Sequence, residues 1–554
     1  RGRTMKKNLT VWNLFSVVIL AAFALFIMYP IFLILYRSVI HGDTGALTLQ
    51  NFAHFFAKKF YWGTMVNSLK VTVVSTILSA ALGLPLAYLM RSVKIKGSSF
   101  LNILIVISYL SPPFIGAYAW IQMLGRQGVI TQFLNDTFGL HYGGVYGFAG
   151  IVLVFTLQSF PLVYIYVSGA LKNLDNSLNE AAESLGCSRM GRIWKIIVPL
   201  VMPTLLASSM LVFMRVFADF GTPMLIGEGY KTLPVLIYNQ FMGEVSGDDG
   251  FAAAICCIVI GLTIVMFFVQ RFLAGRNTYA MTALKPMAAE SLGGLRNILA
   301  HLAVYMVVGL AILPQFVVVY TSFLATNGGQ VFTGGFALQS YDATLFAKDN
   351  DVIWHTYFLG LCAIAAVLVL GVLIAYLSVR KRNTLNSILD VITMFPFIIP
   401  GSVLGIAFVF AFNKSPIILT GTALIMIISF AVRRMPYTVR SSTAILGNIS
   451  PSIEEAAISL GASDMTTFRK ITVPMMMPGV LSGAIMSWVT IISELSSSII
   501  LYTNSTQTLT VSIYTEVIRG NYGNASAYAT ILTVTSILSL LLFYKVTGRR
   551  DVSV

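Results

Sequence analysis

Glu180 to Pro203 reads EAAESLGCSRMGRIWKIIVPLVMP, a polar and charged island in an otherwise apolar chain. Glu455 to Pro478 reads EAAISLGASDMTTFRKITVPMMMP, and the two stretches align without a gap at a constant offset of 275 residues, with 14 of 24 positions identical. Both keep Glu-Ala-Ala (Glu180, Ala181, Ala182; Glu455, Ala456, Ala457), a glycine after three more residues (Gly186, Gly461), and, nine residues on, Ile-x-Val-Pro ending at Pro199 and Pro474. Glutamate and alanine open a good helix with negative charge at its positive end. Glycine permits a sharp turn, and proline suits the first turn of a following helix. A spacing of this length kept twice implies an internal duplication with the same task in each half.

The surrounding composition says where that task is performed. The chain has 554 residues, 57% of them hydrophobic and only 10% charged, against about 25% charged in a soluble globule. With a mean hydropathy of +0.82, it reads as a polytopic membrane protein. The net charge of +15 then reflects basic loops on one membrane side rather than nucleic-acid binding. Cys187, Cys256, Cys257 and Cys362 show neither metal-ligand nor disulfide spacing.

Runs long enough to cross a ~30 Å apolar layer fall near 12–36, 67–90, 100–124, 146–170, 202–226 and 252–272, then 297–322, 355–379, 386–412, 417–440, 477–501 and 525–547. The first run is longer than a signal-peptide core and is expected to be a retained helix. The expected fold class is therefore all-α and polytopic, with about twelve transmembrane helices. The first six occupy 1–274, a polar linker 275–296, and the second six 297–554. The even-numbered connections hold Arg91/Lys94/Lys96, Arg271/Arg276, Arg380/Lys381/Arg382 and both Glu-Ala-Ala loops. With the two tails added, and Arg433 and Arg434 counted with them, 26 of 36 Lys and Arg fall on that side. Both termini are then expected in the cytoplasm. The duplication extends to Asn67–Arg91 against His355–Val379 at an offset of 288, sharing Gly83/Gly371 and Ala-Tyr-Leu at 87–89 and 375–377. Equal six-helix halves imply a parallel repeat about an axis along the membrane normal. The offset changes by 13, which locates an insertion in the first half near Gly125–Gly147. The outer connections Gly42–Tyr61 and Ala325–Trp354 carry matching Leu-Gln pairs and are candidate caps, either contact surfaces for an outside partner or simple lids packed over the helix ends.

No G-x4-G-K-[ST] pattern occurs, so this chain has no phosphate-binding loop of that kind. No catalytic residues and no metal-ligand set are apparent. Ionisable groups within apolar runs are functional candidates because their insertion is costly. Asp219 and Glu494 stand at the same offset of 275 in the fifth and eleventh runs, and a two-fold axis would set them on opposite sides of one path. Arg215, four residues before Asp219, is expected to pair with it. Each carboxylate equally suits a capping role at a broken helix. Prolines at 112–113, 161, 396 and 400 suggest kinked or broken spans. Arg433, Arg434 and Arg440 are expected near lipid headgroups, with contact to an anionic substrate as the alternative.

The duplicated stretch resembles the EAA loop, E-A-A-x3-G-x9-I-x-L-P, of permeases of binding-protein-dependent ABC importers, with Val198 and Val473 in place of the leucine. ADFGTPMLIGEGYKTLPVLIYNQF (218–241) and ISELSSSIILYTNSTQTLTVSIY (492–514) are similar to segments of the fused ferric-iron permease group. The resemblance implies a type I importer permease in a bacterial plasma (inner) membrane. It implies two copies of an ATP-binding subunit docked on the loops, with ATP and magnesium held there and no cofactor in this chain, and an extracytoplasmic substrate-binding protein. Ferric iron is the implied cargo. Phosphorylated or phosphonate solutes and thiamine are alternatives within the group, and an ATP-independent transporter or channel is the alternative outside it.

Overall fold

Long apolar helices dominate because a backbone in hydrocarbon must satisfy its own hydrogen bonds. The computed structural model describes residues 11–547 apart from 41–44, 140–141, 244–248, 276–288, 328–330 and 347–350. Most of the linker and both ends of the chain lie outside the described residues. Nine described helices are long and apolar enough to cross a membrane: Val11–Ser38, Lys59–Ser92, Gly147–Lys172, Arg189–Ala218, Asp249–Val269, Gly294–Ser322, Val352–Arg380, Asp464–Ile492 and Tyr522–Leu542. Two bent pairs bring the number to eleven. One joins Ser98–Tyr109 to the helices beginning at Pro113 with a bend of 99°, and the other joins Thr384–Ile398 to Gly401–Phe412 with a bend of 111°. Ala423–Asn448 carries Arg433, Arg434 and Arg440 and is less apolar than these. It packs along Val352–Arg380 as Gly147–Lys172 packs along Lys59–Ser92, and completes twelve. Numbered in chain order, these are spans one to twelve.

The duplication is visible in individual hydrogen bonds. Leu233 N donates to Ser68 Oγ at 2.7 Å, and Leu509 N donates to Thr356 Oγ1 at 2.8 Å. The matching Leu-Gln pairs begin matching helices, Gln50–Ala57 and Gln339–Leu345. The first-half insertion holds a helix of its own, Val129–Phe138. The halves share one core, in which Phe217 and Phe220 of the first pack with Leu495 and Tyr514 of the second. Tyr118 Oη donates to Tyr522 O at 2.6 Å across the same boundary.

Runs 100–124 and 386–412 are broken as their prolines suggested, because Pro112 and Pro400 hold extended backbone (ψ 138° and 148°) and disfavour helical geometry in the residue before them. Three sequence expectations change. Runs 202–226 and 477–501 stop at Ala218 and Ile492, and the chain resumes in short helices at Gly221–Ile226 and Ser498–Leu501. Span ten begins later and ends later than the run 417–440, its start fixed by Thr422 Oγ1 accepting from Ile425 N. The predominantly helical fold also carries one small antiparallel hairpin, Leu324–Asn327 with Val331–Phe336, between spans seven and eight.

Candidate functional site

Two constellations stand out, at the loops and at the breaks of spans five and eleven. Each loop is a short helix, a glycine turn and a second helix that runs on into a span. The first helices are Ser177–Ser184, with Glu180 in its first turn, and Pro451–Ser459. Gly186 and Gly461 adopt φ +79° and +92°, left-handed values that a side chain would strain. Ser188 and Ser463 then cap the second helices through Gly191 N and Thr466 N. Pro199 and Pro474 stand, as expected, in the first turn of the α-helices Val198–Ala218 and Val473–Ile492. Each of these follows directly on a π-turn, Ile193–Ile197 and Phe468–Thr472. A π-turn shifts the hydrogen-bond register by one residue just before a residue that cannot donate.

The loops expose most of what the motif contains. Glu180, Ala181, Glu455 and Ala456 are exposed, Ala182 is half-buried and Ala457 is buried. Sequence reasoning missed the leucine before each glycine. Leu185 is 88% exposed and Leu460 is 90% exposed, and Met190 and Met465 beside them are exposed as well. Their identity in both copies was the available signal.

The loops are tethered differently. In the second, Arg380 Nε donates to Glu454 Oε1 at 2.9 Å and Arg380 Nη2 to Ile449 O at 2.7 Å, with both side chains of the ion pair about nine-tenths buried. Lys381 pairs with Asp464 at 2.9 Å, and Trp12 of span one packs on Phe468 and Tyr376. In the first, Arg192 of the second loop helix pairs with Glu183 of the first at 2.5 Å, a contact within the loop itself.

At the breaks, the backbone at Asp219 is extended (ψ 129°), so its side chain leaves the helical face of Arg215. The expected pairing of these two is not formed as a hydrogen bond or ion pair among the described residues. Asp219 Oδ1 accepts from Thr222 N at 2.9 Å, and the Arg215 guanidinium lies over the Tyr109 ring at 4.7 Å. Glu494 repeats the local turn, its Oε1 accepting from Ser497 N at 3.2 Å. It also pairs with Arg433 Nη1 at 2.5 Å and with Arg434 Nη2, its own side chain only 3% exposed. Arg433 and Arg434 were expected near headgroups. They lie ~15 Å along a 26-residue helix that starts at Ala423, and mid-membrane charges seek buried partners. A partner on another helix is invisible to within-helix spacing.

Asp219 and Glu494 are within electrostatic reach of each other. Immediately after them the halves touch: a Cβ on Gly221 would meet Leu495 of the second half at 3.0 Å and Phe114 at 2.9 Å. Phe220, fully buried, packs on Tyr238 and Tyr514. Asp219 borders a cavity of about 10 Å³ shared with Ser68, Thr72 and Thr232, room for one water. Among the described residues, no group of three or more His, Cys, Asp or Glu is placed to hold a metal ion.

Residues 79–279 and 367–550 each match the family described as binding-protein-dependent transport system inner membrane component. The chain is 30% identical to the ferric transport system permease protein FbpB of Actinobacillus pleuropneumoniae, over 97% of this chain and 78% of that protein. It is likewise 30% identical to a putative ferric transport system permease protein, FbpB 1, of Haemophilus influenzae, over 89% and 78% respectively. The molybdenum transport system permease protein ModB of Escherichia coli is 28% identical over 38% of this chain and 93% of its own length, which corresponds to one repeat.

Proposed function

This chain belongs to the family of binding-protein-dependent transport system inner membrane components, and from that membership we propose that it forms the translocation path of an importer of ferric iron. An extracytoplasmic binding protein delivers the cargo, and two copies of a separate ATP-binding subunit drive the cycle. The ferric-transport relatives support the choice of cargo. The observation that carries the mechanism is the pair of exposed leucines, Leu185 and Leu460, held by glycine turns at equivalent positions of two loops. An exposed leucine with an exposed methionine beside it, on a turn set by glycine, is apolar surface suited to a partner, and duplication supplies two such surfaces for two copies. Each loop helix continues through its π-turn into span five or span eleven, which ends at Asp219 or beside Glu494. Movement of a docked subunit thereby acts on the break at which the halves meet.

The test is uptake of ⁵⁵Fe into proteoliposomes containing this chain, its ATP-binding subunit and its binding protein. Uptake is expected to require ATP and to fail in Leu185→Asp/Leu460→Asp, which should lose the ATP-binding subunit on purification while retaining folded permease. Undiminished iron uptake without ATP favours the channel or secondary-transporter reading and refutes the docking role.

A further inference from the structure

The cluster around the two breaks carries a charge balance unsuited to a bare metal cation. Arg433 and Arg434 converge on the single carboxylate of Glu494. Arg215 stacks on Tyr109, which is itself within electrostatic reach of Arg434 and Tyr437. Asp219 completes the group, within reach of both Arg215 and Glu494. Three guanidiniums against two carboxylates leave one positive charge in a layer with little water.

The excess is built in. At position 158 of span four, which corresponds to Arg433 at the loop offset of 275, stands Gln158, and Ser159 corresponds to Arg434; Pro161 and Pro436 confirm the register. At these positions the first half carries an amide and a hydroxyl, with Gln158 Nε2 donating to Pro113 O at 3.0 Å, whereas the second half places two cations on its carboxylate. The packing accommodates the extra bulk, since a Cβ on Gly401, at the bend of span nine, would overlap the Arg433 guanidinium. Donors also remain. Arg434 Nε is buried without an acceptor among the described residues, as is the hydroxyl of Thr232, which shares a small cavity with Asp219. Buried donors of this kind seek acceptors, and guanidinium groups suit phosphate and carboxylate oxygens. A trivalent cation alone prefers oxygen anions as ligands and is repelled by this excess.

We infer that the central cluster recognises a phosphate- or carboxylate-type oxyanion, and that iron passes it as an oxyanion-coordinated complex rather than as the bare ion. This rests on the iron-import reading above for the metal, whereas the oxyanion part rests on the arginines alone. Arg215, with its stacked guanidinium and no carboxylate hydrogen-bonded to it among the described residues, is the group positioned to meet the incoming anion. Arg433 and Arg434 set the local field.

The experiment uses the reconstituted importer with its binding protein and ATP-binding subunit. ⁵⁵Fe uptake is followed in a sulfonate buffer, with ³²P-labelled inorganic phosphate added, and in a second run with ¹⁴C-citrate. The expected result is ATP-dependent entry of one labelled anion with iron at a fixed ratio, and a roughly tenfold slower iron uptake when no coordinating oxyanion is present. Arg215→Gln is expected to lower both labels together about tenfold at unchanged folded yield, with partial recovery in Arg215→Lys. ATP-dependent entry of phosphate without iron upholds the oxyanion site and ends the iron reading. Iron entering at full rate without either anion overturns the inference and leaves the iron reading standing. Because that comparison uses the unaltered chain, poor folding of a variant does not obscure it.

Discussion

Replacing Glu494 with glutamine tests the central geometry most severely. The carboxylate is 3% exposed and is the acceptor for both Arg433 and Arg434. Removing one member of a buried ion pair leaves an uncompensated charge and costs about 3 to 5 kcal/mol in soluble cores. Two guanidiniums share this one acceptor, and each is more than four-fifths buried, so the upper part of that range applies. Asp219→Asn differs. The oxygen that accepts from Thr222 N is retained in asparagine, no ion pair is broken, and a loss of about 0.5 to 1.5 kcal/mol is expected. Two residues at equivalent repeat positions should therefore behave unequally, with Glu494→Gln strongly lowering folded yield and thermal stability and Asp219→Asn remaining near wild type. The assay is size-exclusion recovery of a fluorescent fusion in detergent after graded heating. Adding Arg434→Met to Glu494→Gln should restore part of the loss, because a double-mutant cycle removes the stranded cation along with its acceptor. Equal effects of the two carboxylate variants, or a double variant no better than Glu494→Gln alone, would refute the reasoning.

Gly186→Val and Gly461→Val each force a β-branched residue into the left-handed region, at about 1 to 2 kcal/mol; ATP-driven uptake should fall in each and further in the double, with folded permease recovered in all three. Arg380→Gln should loosen only the second loop, raising hydrogen exchange across 451–459 while leaving 177–184 unchanged, since Arg380 holds Glu454 and Ile449 O of the second loop. In a chain freed of native cysteines, a cysteine at Gly139 should react with an impermeant thiol reagent from outside and one at Ser177 should not; labelling at Ser177 would reverse the orientation expected from the basic loops.

By itself the sequence determined the class of fold, its duplication and the two repeated loops, because each depends on near-neighbour chemistry. Apolar length marks a span whatever it packs against. Gly186 and Gly461 announce a left-handed turn through backbone sterics alone, and their φ values are of that kind. The paired hydrogen bonds at Leu233 and Leu509 follow from a repeat already legible as an offset. What tertiary structure decided is who meets whom across helices. Arg215 and Asp219 are four apart, yet an extended residue at the helix end turns the carboxylate away. Glu494 has no arginine nearby in sequence, yet its partners are 60 and 61 residues away on span ten. Leu185 and Leu460 look like ordinary core leucines until their 88% and 90% exposure is seen. Hydropathy records the cost of leaving water, and that cost is the same for every leucine and every arginine. Which of them is relieved of it, and by which partner, depends on the packing of helices distant in sequence.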